Sequence, residues 1–153
     1  PQPLDLTDEI RTQLRLPIGA WIHFEPLEGF LTEESFSGAF NLYVDKGILD
    51  AMSLAESQER EKVEITIFTH LMSSVVYEAS RQFSSSGDSD FSNDEIELGA
   101  VGNLLKGILS DKGDGWLTWL KDNPATAVSL ALADKKLQNR MVKGLQGKGE
   151  TSE

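Results

Sequence analysis

Cysteine is absent from the 153 residues of this chain. Disulfide staples, thiolate zinc sites and a cysteine nucleophile are therefore excluded, and the composition suits a reducing compartment. Histidine is scarce: His23 and His70 are the only two. Neither stands in His-x-x-x-His or Glu-x-x-His spacing with another ligand, so a metal site would need ligands converging from distant segments. Long apolar runs are missing too. Nothing approaches the roughly 18–20 consecutive apolar residues that span a bilayer. Pro1 to Ile10 carries three acids and no base, unlike the charged head of a secretory signal. These scarcities set the expectation of a soluble, cytoplasmic chain with no membrane partner. Positive charge is also in short supply: 14 Lys and Arg face 25 Asp and Glu, a net charge of −11. That balance disfavours general binding of nucleic acid or anionic membrane by the body of the protein.

The charge that is present is unevenly placed. Residues 1–100 hold 19 acids against 6 bases, and residues 101–153 hold 6 against 8. The bases of the second part gather in Lys135, Lys136, Arg140, Lys143 and Lys148. The length fits one domain with a core of its own: residues 1–147 read as a helical domain with a polar loop at 84–93, and 148–153 as a flexible tail.

Hydrophobic spacing predicts a mainly α protein, a single-domain irregular bundle of about five to six helices. Residues 4–16, 48–55, 57–83, 94–110, 116–121 and 124–146 carry helical patterns. The clearest is Val63, Ile67, Leu71, Val75 and Ala79, which recur every four residues. Asn123 and Pro124 mark a helix start. Two stretches are ambiguous. Residues 18–24 alternate as a short strand or an irregular crossing would. Residues 32–44 combine a helix start at Thr32–Ser35 with alternation of Phe40, Leu42 and Val44, and the balance favours helix. The alternative architecture is α+β, with a small antiparallel sheet from 18–24, 40–44 and 63–68. Gly99, Gly102 and Gly107 weaken helix 94–110, and close approach of a neighbouring helix would account for them.

Candidate chemistry is thin. Asp88, Asp90, Ser92 and Asp94 alternate as calcium-loop ligands do, but Asn93 replaces the required glycine and Gly99 the final glutamate. Asp88, Asp90 and Asp94 are therefore weak metal candidates, and a solvated, helix-capping loop is the better reading. The glycines at 99–102 and 144–149 lack the context of a phosphate loop. No Gly-x-Ser-x-Gly is present to support a hydrolase triad. Catalytic residues and cofactors are accordingly read as none.

Two surfaces remain. Trp116 and Trp119 are three apart and share a helix face; they are core by preference and a partner contact otherwise. Lys135, Lys136, Arg140 and Lys143 cluster opposite Leu137, Met141 and Leu145. Bases near a helix C-terminus complement its dipole, and they also make an electrostatic handle. The expectation is a non-enzymatic, acidic protein–protein interaction module of the inhibitor, adaptor or assembly-factor type, binding another protein or itself. One alternative is a nucleic-acid-associated structural protein using helix 124–146, although no aromatic is interleaved with its bases. The other is a hydrolytic enzyme built on scattered carboxylates such as Asp88, Asp94 and Glu97.

Overall fold

The four-residue recurrence after Ser57 produces one helix of 29 residues, and the rest of the chain folds around it. The computed structural model describes residues 3–85 and 97–146, without the side chains of 84, 85 and 141–146. Its elements are β1 (Leu4–Leu6), α1 (Asp8–Gln13), β2 (Ile22–Pro26), α2 (Phe36–Ala39), β3 (Phe40–Asp45), α3 (Lys46–Leu54), α4 (Ser57–Ser85), α5 (Ala100–Ile108), a 3-10 turn over Ser110–Gly115, α6 (Trp116–Asp122), α7 (Pro124–Ala133) and α8 (Lys135–Gln146). The protein is mainly α, with eight α-helices among the described residues and a small three-stranded mixed sheet. Ile67, Leu71, Val75 and Ala79 of α4 are buried, and Phe68, Met72, Val76 and Phe83 widen the buried stripe. This width lets α4 pack against β2 and α3 from the front of the chain and against α6, α7 and α8 from the rear. Phe83 meets Trp116 edge-on at 6.2 Å.

The sheet runs in the order β1-β3-β2. β2 is antiparallel to β3, with His23 opposite Tyr43, and β1 is parallel to β3, with Leu4 opposite Tyr43. Phe40, Leu42 and Val44 face the core, while Asn41, Tyr43 and Asp45 lie half-buried on the other face. The helix favoured over 32–44 is thus corrected. Only Phe36–Ala39 is helical, capped by Ser35, whose Oγ accepts from the Gly38 N–H at 3.2 Å. After one turn the chain extends, because alternation buries one face and leaves the other polar.

The start of the chain needs a second correction. Leu4–Leu6 is a strand and not the beginning of a helix. Thr7 is extended and its Oγ1 accepts from the Ile10 N–H at 3.3 Å, which fixes the helix start behind it. The third strand of the sheet is therefore β1, and 63–68, the segment offered for a strand in the α+β alternative, lies within α4.

The predicted helix 124–146 is two helices. Asp134 leaves helical geometry (φ −80°, ψ 103°), and its Oδ1 accepts from the Leu137 N–H at 3.0 Å. That bond offers the backbone an alternative to helix continuation. The predicted helix 94–110 begins only at Ala100 among the described residues, and Gly99, extended before it, has a close neighbour of a different kind. The Gly99 and Ala100 N–H groups donate to the Leu31 and Glu33 carbonyls, each at 2.8 Å. A Cβ on Gly99 would stand 2.0 Å from the Glu33 carbonyl oxygen. Thus a loop, and not a helix, approaches closely there, and Gly107 has open space around it.

Candidate interaction surfaces

α3 and α4 are joined by two residues, Ala55 and Glu56, so they diverge from a common corner. Asp45 sets the start of α3: its Oδ2 accepts from the Ile48 N–H at 3.2 Å. α3 carries Ile48, Leu49, Ala51, Met52 and Leu54 around it, more apolar surface than one buried face uses. Met52 is buried, Ile48 is half-buried, and Leu54 is 87% exposed. Between α3 and the first turns of α4 lies a cavity of about 520 Å³, lined by Ile48, Met52, Leu54 and Val63 together with Glu59 and Arg60. A second hollow of about 310 Å³ adjoins it and shares Ile48 and Val63, with Trp21 and Thr66 completing the wall. Together they form one apolar groove running from Leu54 to Trp21. Its size falls in the range of recognition sites.

The Trp21 end of the groove is held by an ionic anchor. Arg11, buried in α1, donates through Nε to the Ala20 carbonyl at 2.7 Å and through Nη1 to Asp8 at 2.9 Å. Its Nη2 pairs with Asp45. The Arg11 hydrogen bond holds the Asp45 carboxyl below the usual carboxylate range, and Asp45 raises Arg11 in return. α1, β3 and the segment before β2 are thereby fastened at one point. α1 itself ends on a left-handed Arg15 (φ 59°), with the Leu16 N–H returning to the Arg11 carbonyl at 2.9 Å, a turn that glycine usually supplies.

The outer face of the sheet is polar. Glu25 accepts from Asn41 at 3.0 Å and from the Tyr43 hydroxyl at 3.4 Å. Burial, and then the charge of Glu25, pushes the Tyr43 phenol up. His70 lies close enough to His23 to feel its charge, although 47 positions separate them in sequence. Burial first, and His23 second, lower its pKa. Among the described residues, no group of three or more His, Cys, Asp or Glu is placed to hold a metal ion.

The residues singled out in the sequence fall as follows. Trp116 is 2% exposed and belongs to the core. Trp119 is half-buried, and the Lys112 ammonium sits 4.4 Å from its ring centroid. The two therefore form no joint exposed face. Lys135, Lys136 and Arg140 are exposed on α8, and Leu137 between them is buried. The side chain of Lys143 and the loop residues Asp88, Asp90 and Asp94 lie outside the described residues. Because the helix breaks at Asp134, Lys135 and Lys136 occupy the first turn of α8. The helix dipole disfavours cations there, so C-terminal dipole compensation does not explain these two bases. The groove was missed in the sequence. Its signal was the apolar excess of Ile48–Leu54, which exceeds one helix face.

No protein-family model matches the chain, and no curated protein and no solved structure matches it. Among the described residues, no helix is long and apolar enough to cross a membrane.

Proposed function

We propose that this chain is a non-enzymatic protein–protein interaction module whose recognition surface is the α3–α4 groove. The observation that carries the reading is an apolar trough left open beside an 87%-exposed leucine, Leu54. An open apolar trough beside an exposed leucine supports a contact site. The surrounding charge favours a partner that brings an apolar side chain with a positive charge beside it. Glu59 lines the groove beside Arg60, and residues 1–100 as a whole hold 19 acids against 6 bases. The lack of cysteine suits action in the cytoplasm. The test is a pull-down from native extract with wild type, Leu54→Lys and Ala51→Glu. Both positions are exposed, so neither change disturbs the core. The expected result is a partner retained by wild type and lost with both variants; equal capture by all three rejects the reading.

A second reading uses α8. Lys135 and Lys136 are exposed where the helix dipole disfavours them, which supports a role for them in contact with phosphate, as in a nucleic-acid-associated protein. Asp134 weighs against it, because its carboxylate already occupies the N-terminus of that helix. A gel shift with duplex and single-stranded nucleic acid at low salt decides. Binding that weakens steeply as salt is raised and is lost on replacing Lys135, Lys136 and Arg140 together supports this reading, and no shift removes it.

A further inference from the structure

We propose that the groove is filled by the Pro17–Ala20 turn of a second copy of this chain, in a two-fold dimer; this rests on the reading of the groove as an interaction surface. The turn carries Ile18, which is 92% exposed, against 39% for Ile65 and 44% for Leu4. An isoleucine at a turn tip gains nothing within its own chain. It is also held in place. The Ala20 N–H donates to the Pro17 carbonyl at 3.1 Å, and the Ala20 carbonyl accepts from the Arg11 guanidinium at 2.7 Å. Proline fixes one corner of the turn. A knob presented this way loses little freedom on docking.

The same chain supplies the hole. The groove wall of Ile48, Met52, Val63 and Trp21 is apolar and takes an aliphatic side chain. Trp21 lies three residues beyond Ile18, at most about 11 Å away along the chain, so knob and hole belong to one patch. A patch holding both halves of a contact is what a closed two-fold interface uses, each copy inserting into the other. Charge agrees with this arrangement. Arg15 precedes the knob, Glu59 lines the hole, and neither is in an ion pair among the described residues. Arg60 also lines the groove, and the proposed contact pairs Arg15 with Glu59. The basic helix α8 is a poorer occupant, since its Leu137 is 3% exposed and already packed in the core.

Sedimentation equilibrium at about 0.15 M salt, where the Debye length of about 8 Å screens net repulsion, tests the proposal. The expected result for wild type is a concentration-dependent rise to twice the chain mass. Ile18→Asp weakens the dimer about 100-fold or more, because a two-fold contact loses two buried aliphatic side chains at about 10–100-fold each. Because Ile18 is exposed in the single chain, its thermal midpoint measured at monomeric concentration stays unchanged. Arg15→Glu and Glu59→Arg each weaken association about 2–5-fold, and the two together restore it. A wild-type chain that stays monomeric at its highest soluble concentration overturns the proposal, as does an Ile18→Asp variant that dimerises like wild type. If the chain is monomeric while Leu54→Lys still loses a captured partner, the dimer falls and the reading of the groove as an interaction surface stands. Loss of neither mass nor partner in any variant rejects both.

Discussion

Gly99 caps one short helix, Gly107 lies in its last turn, and the two meet opposite surroundings. At Gly99 a side chain would collide with the main chain of Glu33 at 2.0 Å, and a backbone atom cannot rotate away as a flexible side chain does. Gly99→Ala therefore separates the 31–33 loop from α5 and strains the two hydrogen bonds that join them. The expected loss is about 2 kcal/mol or more, from overpacking together with weakened bonds. Gly107 is in a helix with nothing within 4 Å of an added Cβ. Gly107→Ala should stabilise by about 0.5–1 kcal/mol through helix propensity alone. Urea unfolding of the pair checks both signs, and a stabilising Gly99→Ala would refute the close approach. His70 supplies a pH test at the same scale. Its pKa is lowered in the fold, first by burial and then by His23, so below the unfolded value of about 6.5 the unfolded chain binds more protons. Stability that is full above that value is lost as pH falls through the folded pKa. The urea midpoint should drop between pH 7.5 and 5.5, and His70→Gln should flatten the drop.

Among the elements, α8 shows how local electrostatics and placement diverge. Asp134 caps it and suits the dipole, while Lys135 and Lys136 in the next two positions oppose it. Asp134→Ala should cost about 1 kcal/mol, the usual value of a lost cap. Lys135→Glu should stabilise by about 0.5–1 kcal/mol, since it replaces a disfavoured charge with a favoured one. Circular dichroism melts check the two directions. If Lys135→Glu destabilised instead, the lysine would have a stabilising contact of its own.

The same elements show what was legible in advance. α4 was readable because five residues at four-residue spacing outweighed the strand-like run Val63–Phe68. The pairing of β2 with β3 was half legible, through alternation in both segments. β1 was not: three residues give too short a pattern, and Leu6, Ile10 and Leu14 also satisfy a helix. The break at Asp134 was hidden because aspartate is common in helices, and its capping bond depends on the rotamer. The groove escaped because a sequence shows how apolar a helix is, but not which of its sides a neighbour covers.

At the scale of the whole molecule the acidic front and the helical rear are not separate bodies. α4 contributes core residues to both, so a single cluster of buried side chains runs from Phe30 to Leu137. Charge that is divided along the sequence is thereby brought around one core, and the net −11 acts on one compact object. Among the described residues, the pairs Arg11–Asp8, Lys46–Asp50, Arg81–Glu78 and Lys112–Asp111 join near neighbours in sequence, each with at least one exposed member, and Arg11–Asp45 ties distant parts together. Exposed neighbour pairs contribute little. Long-range repulsion among the unpaired acids should therefore destabilise the fold at low ionic strength, where the Debye length of about 30 Å at 0.01 M reaches across the molecule. Raising sodium chloride from about 0.01 to 0.15 M should then stabilise the chain by about 1 kcal/mol, or about 2–4 °C in Tm. Calorimetry at monomeric concentration measures this without a contribution from association. An equal osmolality of neutral solute should leave Tm nearly unchanged over the same interval. A Tm that falls with salt would mean that favourable pairs, and not repulsion, dominate the electrostatics of the folded chain.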